Sequence, residues 1–334
     1  MANLLLTETC VRSCPYCFAK KHMADSASDN ILSWENLIYV ADFLEASGDK
    51  HIALLGGEPS LHPDFIEFII YLLERNFHVN IFTSGIMSEE KLMEASKVLS
   101  GINPERLSFV CNLNNPQASN FSENESVKRF LKVLGHLTSP GFNIYKPDFD
   151  LDFIFQYINQ YGLKKHLRLG LAHPIPGKKN KYVAIQEMQK MASRLLDFKQ
   201  HFARFHVTCG LDCGFPICVF TDEQLGSLYK ISGGHLKFGC GPAVDIGTDM
   251  SIWCCFPLSD FHKKSLFDFD NMREVVEFYE DKQRLIRGEI SGLFEECDNC
   301  IHAKDRICSG GCVAHQLSWF KDEERIRMEG IYNE

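Results

Sequence analysis

Three cysteines near the start of the chain have a spacing that suits a metal cluster. Cys10, Cys14 and Cys17 place three thiols within eight consecutive positions. A [4Fe–4S] cluster usually takes four cysteine ligands, and the next cysteine along the chain is Cys111. Three thiolates would therefore leave one iron open to another ligand, as catalytic metal sites require. The spacing by itself is also compatible with a zinc knuckle or a ferredoxin-like site.

Glycine-containing or polar segments follow several predicted strands. The segment Gly56-Gly57-Glu58-Pro59 follows the second strand, and its two glycines allow the backbone to approach a ligand closely. The segment Thr83-Ser84-Gly85 ends the third strand. Strand ends are also often polar for solubility alone. The candidate ligand contacts at these strands are Gly56, Gly57, Glu58, Pro59, Thr83, Ser84, Asn112 and Arg168.

Strand-like and helical segments alternate over roughly the first 200 residues. The predicted strands cover 3–8, 51–55, 78–85, 106–114, 142–146 and 166–172. Ser33 and Ser88 can each begin a helix, and further helices are predicted around 65–72, 127–137, 151–161 and 185–195. This alternation predicts parallel βαβ units, about six in number, which is fewer than the eight of a full TIM barrel.

The fold class is therefore α/β, a partial (β/α)6 TIM-type barrel with a C-terminal cysteine-rich domain. Near residue 205 the composition changes to Cys, Gly and Pro, which predicts domains at 1–204 and 205–334. Ten of the 14 cysteines lie between Cys209 and Cys312. In a reducing compartment such density favours metal or redox chemistry over disulfides.

Charge and hydropathy exclude several classes of protein. The formal net charge is −9, and the longest basic run is Lys178-Lys179 with Lys181 nearby, so no nucleic-acid-binding surface is indicated. No apolar stretch approaches the roughly 20 residues that span a bilayer. The first ten residues lack the basic region of a signal peptide. The sequence therefore predicts a cytoplasmic location and no membrane partner.

The motifs together resemble the radical S-adenosylmethionine (SAM) superfamily. Its signature is C-x3-C-x2-C with an aromatic residue before the last cysteine, here Tyr16, followed by a GGEP motif. The resemblance implies that the open iron chelates the amino and carboxylate groups of SAM. One-electron reduction then yields a 5′-deoxyadenosyl radical that abstracts a substrate hydrogen. It also implies that GGEP contacts the SAM amino group, with Tyr16, Thr83, Ser84, Asn112 and Arg168 near the cofactor.

The second cysteine-rich region resembles the SPASM domain of many radical SAM enzymes. The last four cysteines have the spacing C-x2-C-x7-C-x3-C. The resemblance implies one or two auxiliary [4Fe–4S] clusters. The first would be bound by Cys218, Cys240, Cys254 and Cys312, and the second by Cys297, Cys300 and Cys308.

Three departures from the SPASM pattern affect this assignment. The third gap has seven residues instead of five, Asp249 stands where a glycine is usual, and no cysteine follows Cys312. The fourth ligand of the second cluster therefore stays open between Cys209, Cys213, a side chain such as Asp298, or an open iron. Two further cysteines are expected to bind no metal, Cys111 as a buried structural thiol and Cys255 as a spare thiol.

A SPASM-type domain implies modification of a peptide or protein, by cross-linking, oxidation or epimerisation. The expected partners are a peptide substrate and an external electron donor such as flavodoxin or ferredoxin. Because Cys10 lies so near the start, leader recognition is expected to need a separate leader-binding protein or the barrel itself. The alternatives are a small-molecule oxidoreductase acting on a sugar or alcohol, and a non-enzymatic iron–sulfur electron carrier. The sequence identifies no catalytic base; Asp148, Asp150 and Asp212 are candidates by position alone.

Overall fold

Seven consecutive parallel strands form most of a single twisted sheet. The computed structural model describes residues 2–20, 23, 30–177, 179–212 and 214–318. Each of these strands pairs in parallel with the next along the chain. They are β1 (Ala2–Thr7), β2 (His51–Gly56), β3 (His78–Thr83), β4 (Leu107–Asn112), β5 (Thr138–Ile144), β6 (His166–Leu171) and β7 (Thr208–Leu211).

Helices connect these strands, as parallel pairing requires. Side chains of Ser33 and Ser88 accept N–H bonds from Asn36 and Lys91, so the two predicted helix starts are confirmed. The helices are α1 (Trp34–Ala46), α2 (Phe65–Glu74), α3 (Glu89–Leu99), α4 (Phe121–Leu134), α5 (Asp152–Tyr161), α6 (Met188–Asp197) and α7 (Lys199–Phe205).

The rest of the chain adds short elements to the same sheet. Strand β8 (Asp245–Ile246) pairs in parallel with β1 on the side opposite β2. Strands β9 (Ser251–Trp253) and β10 (Lys264–Ser265) continue outward in antiparallel pairing. The helices of this part are α8 (Asp222–Ile231), α9 (Met272–Glu289), α10 (Ile301–Lys304) and α11 (Val313–Leu317).

The sheet extends beyond the six strands predicted from the sequence. Strand β7 begins at Thr208, just past the predicted boundary, and pairs with β6. Strands β7 to β10 have two to four residues each, which is too short to show an alternating pattern. The α/β class with a parallel sheet is confirmed. The division at residue 204 stays a prediction, and strand pairing runs across it.

The hydrophobic core lies between the sheet and the helices packed on it. Alternate residues of β3 and β4, such as Ile81 and Phe109, are fully buried beneath α3 and α4 residues such as Leu99 and Phe130. This packing fixes the strands, and with them the loops that follow their carboxyl ends. No helix among the described residues is both long and apolar enough to cross a membrane.

Candidate functional site

The predicted motifs meet at the carboxyl edge of the parallel strands. The cysteine loop follows β1, the segment 56–59 begins as β2 ends, and 83–85 begins as β3 ends. Asn112 ends β4, and Arg168 lies in β6. Because neighbouring parallel strands end at the same edge, segments distant in sequence become neighbours. This edge is where open and barrel-type α/β sheets bind ligands.

The cysteine loop is half-buried and folds back on itself. The Cys17 N–H donates to the Cys14 carbonyl oxygen at 3.2 Å, and the Arg12 N–H donates to the Cys10 Sγ at 3.4 Å. Burial raises the pKa of Cys10. Burial is also the main cause that raises the pKa of Cys17 to about 11, and the Cys14 and Cys10 thiols contribute to that rise. The three thiols are therefore close enough to oppose one another's ionisation, and a bound cation would relieve that repulsion.

The donor set fits an iron–sulfur cluster by its chemistry. Soft thiolates favour iron–sulfur clusters or zinc over cations that prefer oxygen ligands. Across the described ranges, no three His, Cys, Asp or Glu side chains close around a point that would hold a single ion. Cys10, Cys14 and Cys17 would bind a four-iron cluster at three of its irons, as the C-x3-C-x2-C spacing predicts.

Gly56 and Gly57 allow β2 to approach the cysteine loop. A Cβ atom at Gly56, where φ is +147°, would stand 2.2 Å from the Thr7 carbonyl oxygen. A Cβ atom at Gly57 would stand 2.1 Å from the Thr9 carbonyl oxygen and 2.9 Å from the Cys10 nitrogen. The Gly57 N–H also donates to the Thr7 carbonyl oxygen at 2.8 Å. The two glycines therefore allow a close approach to the cysteine loop, and their approach to a bound ligand stays a prediction.

Glu58 joins the two polar segments after β2 and β3. Its side chain is fully buried. One carboxylate oxygen accepts from the Thr83 hydroxyl at 2.7 Å and the Ser60 hydroxyl at 2.9 Å. The other accepts from the Ser84 N–H at 2.7 Å and the Ser84 hydroxyl at 2.5 Å. Both oxygens are thus engaged inside the protein, so Glu58 positions 83–85 relative to the cysteine loop. A direct contact between Glu58 and SAM stays a prediction.

The cysteine loop is also anchored to the end of β4 and beyond. The buried Tyr16 hydroxyl donates to Asn114 Oδ1 at 3.0 Å, and its ring stacks on Tyr145 with centroids 5.0 Å apart. Arg12 donates to the Asn112 carbonyl oxygen at 3.0 Å and lies 3.4 Å from a Glu123 carboxylate oxygen.

Sequence reasoning named Tyr16 and Asn112 only as candidates for contact with SAM, and it missed this anchoring of the loop. Arg12 and Glu123 are 111 positions apart, and no local pattern pairs them. The position of Arg12 between the first two cysteines is the one sequence signal that could have drawn attention to it. Burial raises the pKa of Tyr16, with the nearby Cys14 thiol as the next cause, so the ring stands against the cluster loop as a neutral phenol.

Arg168 and Asp212, both singled out from the sequence, form an ion pair with each other. The Arg168 guanidinium also lies 5.1 Å from the centroid of the Phe82 ring. Asp148, another candidate base, lies 3.6 Å from the Lys146 ammonium. Asp150 accepts the backbone N–H that begins α5, at 3.2 Å. The Asp212 carboxylate is therefore paired with a positive charge at the carboxyl edge of the sheet. The contacts given for Asp148 and Asp150 are made to residues outside the cysteine loop.

The second cysteine-rich region groups its thiols differently from the expectation. Cys218 lines one cleft together with Cys297 and Cys300, not with the cysteines it was expected to join. Cys255 was expected to be a spare thiol, but the thiols of Cys254, Cys312 and Cys240 all contribute to raising its pKa well above the ordinary value. The difference arises because loop paths between distant segments decide these contacts, and cysteine spacing does not encode them. Cys213 lies outside the described residues. Cys111 is fully buried, as expected.

Comparison with known proteins agrees with this geometry. The family model described as the Radical SAM superfamily matches residues 4–106, which contain the cysteine loop and the segments 56–59 and 83–85. Over 93 residues the chain is 37% identical to the S-adenosylmethionine-dependent nucleotide dehydratase of Selenomonas ruminantium, covering 27% of this chain and 32% of that protein. Over 104 residues it is 32% identical to the PqqA peptide cyclase of Granulibacter bethesdensis, covering 31% and 27%. The chain thus spans about a third of the length of these curated relatives, or less.

The fold is similar to a solved structure over nearly the whole chain. SuiB of Streptococcus suis bound to S-adenosylmethionine superposes with a TM-score of 0.65 at 16% identity, covering 96% of this chain and 75% of that one. SuiB bound to the precursor peptide SuiA superposes with a TM-score of 0.64 at 15% identity, covering 96% and 73%. The match over residues 4–106 contains the cysteine loop and the segments that hold it, so this part of the chain is similar to the radical SAM superfamily.

Proposed function

We propose that this protein binds SAM at a [4Fe–4S] cluster held by Cys10, Cys14 and Cys17, and uses it to modify a peptide. One observation supports the proposal most strongly. The cysteine loop, the segment 56–59 and the segment 83–85 are joined at one sheet edge through Gly57 and Glu58. Three thiols leave room for one exchangeable ligand on a four-iron cluster, which an electron carrier would not need.

The chain's own residues would hold and orient the bound groups. When bound, the reduced cluster supplies the electron for cleavage of SAM. Gly57 keeps the loop against β2, while Arg12 and Tyr16 fix it to the end of β4. Glu58 fixes the Ser84 backbone, which places the polar segment after β3 beside the loop. Such preorganisation is the protein's part in cofactor chemistry, since the reactive electrons come from the cofactor.

A peptide substrate is supported by the extent of the structural likeness. The structure of SuiB has been solved with a precursor peptide. It resembles 96% of the present chain, including the cysteine-rich region. Two of the curated relatives are PqqA peptide cyclases. The cysteine-rich region would supply thiolate ligands for auxiliary clusters, whose chemistry is one-electron transfer. Electrons would enter from an external donor of the flavodoxin or ferredoxin class.

A small-molecule substrate is the second candidate, and a specific observation supports it. The nucleotide dehydratase relative has the higher identity, 37%. That match covers 27% of this chain. The matched segment is therefore about as long as the part of a chain that holds the shared cluster-binding motifs. A small-molecule enzyme, unlike a peptide-modifying one, would need no leader-binding partner.

One experiment separates these functions. The protein is reconstituted with iron and sulfide, reduced anaerobically and incubated with SAM, and 5′-deoxyadenosine is quantified. Deoxyadenosine formation would exclude the electron-carrier alternative. Mass spectrometry of candidate precursor peptides in the same reaction should then show a mass change dependent on SAM and reductant. If deoxyadenosine forms in larger amount with nucleotides, sugars or alcohols and no peptide changes mass, the peptide proposal is wrong and the small-molecule alternative stands.

A further inference from the structure

The described part of the second cysteine-rich region contains nine of its ten cysteines. Cys209 lies on β7 with a 1% exposed side chain, and burial alone raises its pKa to about 12. Since no other described thiol contributes to this rise, Cys209 is a core thiol of the sheet that lies apart from the other cysteines. The contacts of the other eight thiols divide them into two groups of four.

The first group surrounds a cleft of about 470 Å³. Cys218, Cys297 and Cys300 all line it, and Phe294 and Glu296 are among the other lining residues. Cys218 lies on a single 3₁₀ turn, Ile217–Val219, and its side chain is exposed to the cleft. A second cleft of about 450 Å³, lined by residues of α6, α7 and α8, contains none of the cysteines. The two clefts therefore differ in the chemistry of their walls.

Cys308 joins this group through two glycines. A Cβ atom at Gly292 would stand 2.4 Å from the Cys297 Sγ and 3.0 Å from the Gly310 Cα, so these atoms crowd one point. The Gly310 N–H in turn donates to the Cys308 Sγ at 3.4 Å. Burial is the main cause that raises the pKa of Cys218 to about 11, and the thiols of Cys297, Cys308 and Cys300 contribute to that rise, in keeping with four neighbouring sulfurs.

The second group lies under helix α9. Gln283 donates to the Cys254 Sγ at 3.0 Å, and Arg287, one turn later, donates to the Cys240 carbonyl oxygen at 2.7 Å. The helix thereby holds these two cysteines side by side in the interior.

Cys312 and Cys255 complete the second group. Cys312 is the N-cap residue of α11, which packs against α9, and the Cys312 thiol together with burial raises the pKa of Cys240 well above its ordinary value. Cys255 follows Cys254 directly in the chain; the Cys254 thiol and burial raise the pKa of Cys255 well above its ordinary value, and the Cys312 and Cys240 thiols are further causes. Cys255 thus takes the place beside Cys240, Cys254 and Cys312 that the sequence pattern gave to Cys218.

We infer that these cysteines form two complete four-thiolate sites, in which Cys218 is the fourth ligand of the Cys297, Cys300 and Cys308 set. The other site is formed by Cys240, Cys254, Cys255 and Cys312. Each set supplies the four cysteine ligands of a [4Fe–4S] cluster. The inference rests on the proposed iron–sulfur chemistry but not on SAM cleavage. No cysteine after Cys312 and no open iron is then required.

Pairwise substitution tests which cysteines share a site, because losses are additive only for independent sites. All variants carry Cys10, Cys14 and Cys17 changed to Ala, so that auxiliary iron alone is counted, about eight irons per chain if both four-iron sites fill. The double change Cys218→Ala with Cys297→Ala should lose no more iron than the worse single change. The double change Cys218→Ala with Cys240→Ala should lose the sum of the two single losses. Cys209→Ala, the matched control, should lose none.

The opposite pattern would overturn the inference. If the Cys218 and Cys297 losses add, or if the Cys218 and Cys240 losses do not, the grouping expected from the sequence pattern is correct instead. Unchanged iron in Cys218→Ala would remove Cys218 from the ligands altogether, and bound zinc in place of iron would refute the cluster assignment. Deoxyadenosine formation by the parent enzyme is scored separately, so failure of the grouping and failure of SAM chemistry are distinguishable.

A measurement on the unaltered protein avoids any folding defect of the variants. Iron-loaded and chelator-treated protein are treated with iodoacetamide under argon, and alkylation is located by peptide mass spectrometry. Cys218 is exposed, so iodoacetamide can reach it in the iron-free protein even though its raised pKa slows the reaction; alkylation should be slower by about tenfold or more when the site is loaded. Equal alkylation of Cys218 in both samples, with Cys297 and Cys300 protected in the loaded one, would contradict its role as a ligand.

Discussion

The backbone N–H of Ser84 donates to a carboxylate oxygen of Glu58 at 2.7 Å, across the ends of two neighbouring strands. This contact joins two segments that carry the family resemblance, although they lie 26 positions apart. The Glu58 carboxylate also accepts from the hydroxyls of Thr83, Ser60 and Ser84, and it is fully buried. A buried carboxylate with this many donors holds the edge of the sheet in one geometry.

Changing Glu58 to Gln should therefore lower the free energy of unfolding by about 2–4 kcal/mol, because the amide NH₂ would face hydrogen-bond donors in the interior. The measurement is anaerobic urea denaturation. Glu67→Gln on α2 makes the same chemical change at an exposed position and should shift stability by about 0.5 kcal/mol or less. Equal effects of the two substitutions would refute the bridging role of Glu58.

Gly57→Ala should reduce loading of the first cluster. The added Cβ would stand 2.1 Å from the Thr9 carbonyl oxygen, a backbone atom that cannot move away without shifting the cysteine loop. Iron content should fall by up to the amount lost when Cys10, Cys14 and Cys17 are all changed to Ala, and no further. Gly101→Ala, where nothing lies within 4 Å of the added Cβ, is the control and should keep full iron. Full loading of Gly57→Ala would show that the loop tolerates the displacement.

Asp245 should make stability depend on pH in the direction opposite to an ordinary paired carboxylate. Burial raises the pKa of Asp245 from 3.8 to about 7, and Asn3, which donates to it at 2.7 Å, is neutral and offsets only part of that cost. The folded state therefore holds the proton more tightly than the unfolded state. The stability contributed by this group is present at low pH and is lost as pH rises from about 4 to about 7.

Asp245→Asn removes this titration. The unfolding free energy of the variant minus that of the parent should rise by about 2–3 kcal/mol between pH 5 and pH 8. Because the comparison is a difference, any fixed cost of the substitution cancels. Asp270→Asn, at an exposed position, should give a difference that stays flat over the same range. A flat difference for Asp245→Asn as well would show that Asp245 is ionised throughout.

The parallel strands and the first site were predictable because their signals are local. Apolar periodicity and serine caps place β1 to β6 and the helix starts at Ser33 and Ser88 within a few residues. Once the strands are parallel, the cysteine loop, 56–59 and 83–85 must meet at one edge. The roles of Gly57 and Glu58 within that edge could not be derived, because their partners Thr9 and Ser84 lie on other loops.

The second cysteine-rich region shows where sequence reasoning ends. Spacing alone groups Cys297, Cys300 and Cys308, which lie within 12 consecutive positions. Whether Cys218 or another residue is the fourth ligand of this set depends on the paths of the loops between distant segments. A single bridge between Phe238 and Cys308 helps to set that path, and no periodic pattern marks it.

Formation of 5′-deoxyadenosine from SAM tests the central claim most directly. Anaerobically reduced, iron-loaded protein should produce it, and the variant with Cys10, Cys14 and Cys17 changed to Ala should produce none while keeping the iron of the second cysteine-rich region. The Cys209→Ala control should cleave SAM as the parent does, since that thiol lies in the sheet core. Substantial deoxyadenosine formation by the triple variant would contradict the assignment of these three cysteines as the ligands of the SAM-binding cluster.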